Sequence, residues 1–216
     1  MIVAAPRKTE PRRTVPLPWA ALVLIVMLLF AATGCSRPHE YRGTTFEPAM
    51  PAGPLVGTNW DGAPFDLAAL EGRPALVFFG YTNCPDVCPT TLAEMKKLYA
   101  ALGERAQDVA VVFVTVDPER DSVARLGEYI PAFDKRFYGI ALTSDALAAA
   151  KASYGVIAEK RPYEGGESSA GYAVDHTART YLIAPDGRLL ASYPFGSTSE
   201  EMLADVRHLL ATTTRP

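Results

Sequence analysis

Cys84 and Cys88 are separated by Pro85, Asp86 and Val87 and followed at once by Pro89. Thiols this close can be oxidised to a disulfide or share a metal ion, and the spacing bears on the choice. Positions four apart on a helical turn hold their Cβ atoms ~5–6 Å apart, whereas a disulfide needs about 3.8 Å. An ion bridges the wider gap directly, and a disulfide needs the loop to adjust, so both uses stay open. Pro89 disfavours helical geometry at Cys88 and suits the first position of a helix. The expectation is a helix opening at Pro89 with Cys88 beside its N-terminus. Unpaired N–H groups and the helix dipole would then lower the Cys88 pKa and make it the better ligand or nucleophile.

Two thiolates leave a structural zinc site incomplete, since such sites are almost always four-coordinate. A third donor must come from elsewhere, and the chain has three histidines. His39 lies in a stretch without apolar periodicity, and His208 lies outside the apolar stripe of a C-terminal helix. His176, at the end of the strand-like run Tyr172–His176, is the candidate. Two thiolates and an imidazole suit Cu(I) and can also hold Cu(II), whereas Zn(II) wants a fourth ligand or water. Taken alone, a histidine is more often a hydrogen-bonded structural residue than a ligand. A further charged cluster, Asp117-Pro118-Glu119-Arg120-Asp121, follows a strand. Asp121 can cap the next helix, and Asp117, on the same sheet edge as the cysteines, could support a ligand from behind.

The elements that must position these residues read as an α/β domain. Ala75 to Gly80 (ALVFFG) and Val109 to Val116 (VAVVFVTV) are short apolar runs, as expected of strands buried on both faces. Between them Leu92, Met95, Leu98, Tyr99 and Leu102 recur at helical spacing. This β-α-β order predicts a parallel pair joined by a crossover. Ser122 to Phe133 reads as a helix. Tyr172 to Val174 and Thr180 to Ile183 read as short strands. Pro185-Asp186-Gly187 reads as a turn into Leu189–Tyr193, giving an antiparallel hairpin. Ser199 to Leu210 closes the chain as a helix. The fold class predicted is a thioredoxin-like mixed β-sheet flanked by helices.

The chain has 216 residues, 49% of them apolar, enough for one domain with a sizeable core. Arg7, Lys8, Arg12 and Arg13 precede an uncharged apolar run from Trp19 to Ala32, the pattern of an export signal. Ala32-Thr33-Gly34-Cys35 resembles the cleavage and lipidation site of bacterial lipoproteins, with Ala32 where leucine is usual. Cys35 would carry the lipid; the alternative is an uncleaved spanning helix. Either way the basic flank places the remainder across the membrane, on the extracytoplasmic (periplasmic) side. Setting residues 1–34 aside removes four of the 21 basic residues and one of the 24 acidic ones, leaving 17 against 23, a net charge of −6. A domain so acidic, with no basic run, is a poor partner for nucleic acid. The expected organisation is a signal or anchor over 1–35, a flexible tether over 36–54 and the folded domain over 55–212.

Three segments carry a family resemblance: Gly80 to Pro89 (GYTNCPDVCP), Val116 to Asp121 (VDPERD) and Val174 to Thr177 (VDHT). In this order they strongly resemble the motifs of the Sco/SenC family, over nearly the whole domain. The resemblance implies a thioredoxin fold and a copper site on Cys84, Cys88 and His176, with Cys84 and Cys88 as a redox-active pair. Sco proteins are associated with delivering copper to the dinuclear CuA centre of cytochrome c oxidase, or with keeping that subunit's cysteines reduced. The implied partners are therefore the copper-bearing oxidase subunit or another copper chaperone. An extracytoplasmic thiol-disulfide oxidoreductase and a copper or redox sensor are the alternative functions. A peroxidase is a further one, since peroxiredoxins share the fold.

Overall fold

The computed structural model describes residues 19, 39–162 and 171–212. The strands in it are β1 (Thr44–Pro51), β2 (Val56–Asn59), β3 (Pro64–Asp66), β4 (Ala75–Gly80), β5 (Ala110–Thr115), β6 (Tyr138–Ala141), β7 (Ala158–Pro162), β8 (Tyr172–His176), β9 (Arg179–Ile183) and β10 (Arg188–Pro194). The helices are α1 (Val87–Leu102), α2 (Val123–Tyr129), α3 (Ser144–Tyr154) and α4 (Ser199–Thr212). Eight strands form one sheet in the order β1-β10-β9-β4-β5-β6-β2-β3, and β7 with β8 forms a separate two-stranded ribbon. The signal segment, Cys35 and most of the apolar run lie outside the described residues. Among those described, no helix is long and apolar enough to cross a membrane.

The centre of the sheet follows from two sequences without a polar face. Every residue of β4 and β5 is buried, and the two strands pair in parallel from Ala75 opposite Ala110 to Gly80 opposite Thr115. Successive side chains point to opposite faces. The Phe78 ring meets Phe113, which meets Tyr129 of α2, while Phe79 meets Tyr154 of α3 and Tyr181 of β9. Helices α1 and α4 pack on each other, with Leu92, Met95, Leu98 and Tyr99 as the buried side of α1. The antiparallel hairpin expected after Thr180 is β9–β10, turning at Gly187 with φ 79°, a left-handed value that favours glycine.

Two expectations need correction. Residues Thr44–Pro51, assigned to the tether, form an edge strand paired with β10, and the compact unit begins at Glu40 rather than near Leu55. This strand is exposed along most of its length, so no apolar alternation betrays it; its stability comes from backbone pairing to β10. The helix expected from Ser122 to Phe133 ends at Tyr129 and continues as a 3₁₀ turn over Ile130–Ala132, with Pro131 at its start.

Candidate metal centre

The cysteines leave the sheet where its two parallel strands end. Val116 N–H donates to the Gly80 carbonyl at 2.8 Å, joining the chain beyond β5 to the last residue of β4. Gly80 has no room for a side chain. A Cβ there would lie 2.8 Å from Cys88 Sγ and 2.8 and 2.9 Å from the Phe113 and Phe78 rings, well inside contact distance. The sulfur occupies the space that a methyl group would need.

Helix α1 opens at Val87 with Asp86 before it, two residues earlier than expected from Pro89. The first N–H groups of a helix have no partner within it, so proline is tolerated through the first turn and not only at its first position. Cys88 is thus inside that turn and fully buried, while Cys84, in the preceding loop, is half-buried. Both are free thiols. The N–H of Cys88 points at Cys84 Sγ, 3.4 Å away.

That arrangement reverses the expected roles of the two sulfurs. The Cys84 thiol is pulled down to about 3, first by the hydrogen bond from the Cys88 thiol and further by His176 and the N–H groups of Cys88 and Asp86, against the opposing effect of burial. The Cys88 thiol is pushed up, chiefly by the same hydrogen bond and then by burial. Both shifts favour Cys84 as the sulfur that ionises first, with the Cys88 thiol as its hydrogen-bond donor. The helix terminus acts on the sulfur that faces it from outside, which is Cys84.

His176 ends β8 and comes to the same place from 88 residues further along the chain. Its Nε2 lies 3.5 Å from Cys88 Sγ, and its Nδ1 lies 3.3 Å from the Thr177 carbonyl. The tautomer with the proton on Nε2 can donate to the sulfurs, whereas the one with the proton on Nδ1, facing the Thr177 carbonyl, presents the Nε2 lone pair needed to ligate an ion. The rings of Phe78 and Tyr81 hold the imidazole edge-on, with centroids 5.9 and 5.8 Å away. The two sulfurs and one imidazole nitrogen all lie within 4.8 Å of one another, the only such cluster of His, Cys, Asp and Glu donors among the described residues. Neither His39 nor His208 belongs to it; His208 packs on the Tyr41 ring.

The donor set can be tested for fit. Donors ~2.0–2.3 Å from one shared ion are roughly 3.5–4 Å apart in a three-coordinate site. The observed spread requires only a small contraction. Two sulfurs and one imidazole, with no fourth donor from this cluster and an open cleft beside Tyr81, Pro85 and Val174, suit a soft ion of low coordination number.

The charged cluster after β5 behaves differently from the expectation. Ser122, not Asp121, caps α2, accepting from Arg125 N–H. Asp121 is fully buried and accepts from the Thr82 N–H at 2.9 Å, the Thr82 hydroxyl at 2.7 Å and the Thr115 hydroxyl at 2.7 Å. It thereby fixes the loop that carries the cysteines. Asp117 touches no donor atom and accepts instead from the Tyr172 hydroxyl and Arg120 Nε. Gly80, Phe78, Tyr81 and Asp121 shape the site yet carry no spacing signal of their own. Their roles depend on which strand ends share an edge.

Comparison with known proteins gives one consistent result. A family model described as SCO1/SenC matches residues 46–211. The SCO2-like protein of Rickettsia conorii is 31% identical over 154 residues, covering 71% of this chain and 73% of its own length. The structure of Bradyrhizobium japonicum ScoI with copper bound is similar at TM-score 0.67 and 38% identity, covering 74% of this chain and 99% of that one. BsSco, described with a disulfide switch as a member of the Sco family of cytochrome c oxidase assembly proteins, is similar at TM-score 0.60 and 26% identity, covering 76% and 95%.

Proposed function

As this chain belongs to the SCO1/SenC family, we propose that it is a copper metallochaperone that holds the ion between Cys84, Cys88 and His176 and passes it on during maturation of the CuA centre of cytochrome c oxidase. The observation that carries this reading is the convergence of two sulfurs and one imidazole nitrogen within 4.8 Å. Cys84 offers a ready thiolate, Cys88 gives up its proton as the ion enters, and His176 presents Nε2 while Thr177 holds Nδ1. The partner to which copper passes is the copper-bearing oxidase subunit or another copper chaperone.

Because only the reduced pair can ligate, metal transfer and thiol exchange are linked. The chain with Cys84 and Cys88 joined as a disulfide is expected to lose one-equivalent copper binding, with affinity at least roughly a hundredfold below that of the reduced chain. Copper titration of the two forms under a competing chelator checks this. Equal, stoichiometric binding by the oxidised form would show that the two sulfurs are not both ligands. A thiol-disulfide oxidoreductase is the second reading, favoured by the low pKa of Cys84 and independent of His176.

The reading includes a membrane anchor ahead of the domain, with Cys35 lipidated and the domain extracytoplasmic. Intact-mass measurement of the chain from membranes is expected to show a mature N-terminus at an acylated Cys35, lost in Cys35→Ala. An unprocessed wild-type chain would point instead to a spanning helix.

A further inference from the structure

The three donors sit on two pieces of chain that share no ladder. Cys84 and Cys88 belong to the loop and first turn between β4 and α1, while His176 ends β8, whose only ladder partner among the described residues is β7. On its C-terminal side His176 is tied by β9, which begins at Arg179 and pairs with β4 as far as Phe78 opposite Thr180; the ribbon on its other side needs its own attachment. The segment Asp117–Asp121 touches both pieces. At one end Asp121 grips Thr82, two residues from Cys84.

At the other end is Arg120. Its Nη1 donates to the Tyr172 carbonyl at 2.8 Å, and its guanidinium lies 3.8 Å from the centroid of the Tyr172 ring. The same guanidinium is 5.8 Å from the Tyr81 ring, the ring that also edges His176. Its Nε donates to Asp117, whose other carboxylate oxygen accepts from the Tyr172 hydroxyl at 2.8 Å. The Arg120 side chain is 18% exposed and that of Asp117 is wholly buried. A planar fork that donates in two directions and stacks on an aromatic ring is a task lysine cannot reproduce. The nearby Lys160–Glu119 pair, exposed on both sides, adds little holding power.

We propose that Arg120, seated on Asp117 and Tyr172, is the positioning residue for His176, so that the imidazole reaches the cysteines only while this clasp is closed. Arg120 is not one of the three donors, and the consequence for metal rests on the copper reading above. The device acts through the β7–β8 ribbon. When the guanidinium is unseated, the ribbon keeps chiefly the Tyr172–Asp117 bond and the exposed Lys160–Glu119 pair, and His176 is freed to leave with it.

The test uses the full chain with Arg120→Lys, Tyr172→Leu and Glu119→Ala. Arg120→Lys keeps a positive charge beside the buried Asp117, so it serves if Tyr172→Leu does not fold. In the reduced, metal-free chain, amides of β7 and β8 are expected to exchange about tenfold faster in both clasp variants, with β4 and β5 unchanged, as in local opening. Loaded with Cu(II), the same variants are expected to lose the imidazole nitrogen signature in electron paramagnetic resonance and to release copper about tenfold faster. Glu119→Ala is expected to match wild type in all three measurements. Wild-type exchange at β8 in the clasp variants, acceleration shared equally by β4 and β5, or equal opening in Glu119→Ala would overturn the proposal. If the wild-type chain fails to retain copper, the copper reading falls, and the exchange comparison in metal-free chain still decides the clasp.

Discussion

Cys84→Ser and Cys88→Ser are each expected to reduce copper retention by the reduced chain to background and to abolish reversible disulfide formation. A serine hydroxyl does not ionise near neutral pH and is a hard oxygen donor, so each change removes one of two soft ligands and one of two redox sulfurs. The loss should exceed the roughly 10–100-fold that follows when only an outer partner of a ligand is removed. The two variants should differ in stability. Cys84 is half-buried in a loop, and its replacement should leave the unfolding midpoint near wild type. Cys88 is fully buried, its sulfur closing over Gly80 together with the ring edges of Phe78 and Phe113. A serine hydroxyl there sits on a shorter bond than the sulfur and reaches Cys84 and His176 Nε2 less well, which costs up to about 1–3 kcal/mol, enough to lower the midpoint measurably. Metal analysis after gel filtration in a competing chelator, with thermal denaturation of the same samples, checks both parts. One equivalent of tightly held copper in either variant would remove that cysteine from the ligand set.

His176→Ala is expected to separate copper delivery from thiol chemistry. The imidazole is a third donor, so its loss should weaken copper binding by roughly 100-fold or more, with Cu(II), which favours imidazole over an all-sulfur environment, affected most. The dithiol should still cycle with a thiol partner, since the chief support of the Cys84 thiolate is the Cys88 thiol, with His176 a lesser contributor. In cells carrying only this variant under limiting copper, the oxidase is expected to lack its dinuclear copper centre, and added copper should restore it in part. Measured oxidase copper content decides the matter. A normal copper centre under limiting copper would rule out delivery through this site and leave thiol reduction as the function.

Much of this architecture can be read in the chain because β4, β5, α1 and the β9–β10 hairpin carry their own signals. Their apolar runs, helical spacing and turn residues are set by burial on known faces. The edge and the ribbon are different. β1 is exposed along most of its length, and β7, with the sequence AEKRP, is almost wholly exposed. Such strands are held chiefly by backbone pairing and a few scattered side-chain contacts, which leave no mark in side-chain periodicity. That Cys84, Cys88 and His176 converge was legible from type, spacing and resemblance, whereas which sulfur faces the helix terminus was not. A proline after Cys88 points to the helix terminus but does not reveal which sulfur faces the unpaired N–H groups. Likewise, Asp121 as a helix cap was a sound local reading that lost to a long-range one. Three donors, two of them from Thr82, satisfy its buried carboxylate, and Ser122 was available for the cap.

The unequal depth of the two sulfurs also sets an order of events for any molecule that arrives from solution. Cys88 has no exposed surface, so an incoming thiol, oxidant or competing ligand meets Cys84 first. Cys84 is also the sulfur that ionises more readily. In the thiol-exchange reading, Cys84 is therefore the sulfur expected to attack a partner's disulfide, forming a mixed disulfide and releasing the partner's other sulfur as a thiolate. Cys88, directly behind it in the first helical turn, is placed to attack the Cys84 sulfur, closing a Cys84–Cys88 disulfide and releasing the partner as a dithiol. Entry at one sulfur and exit through the other gives the exchange a direction that two equally exposed cysteines would lack.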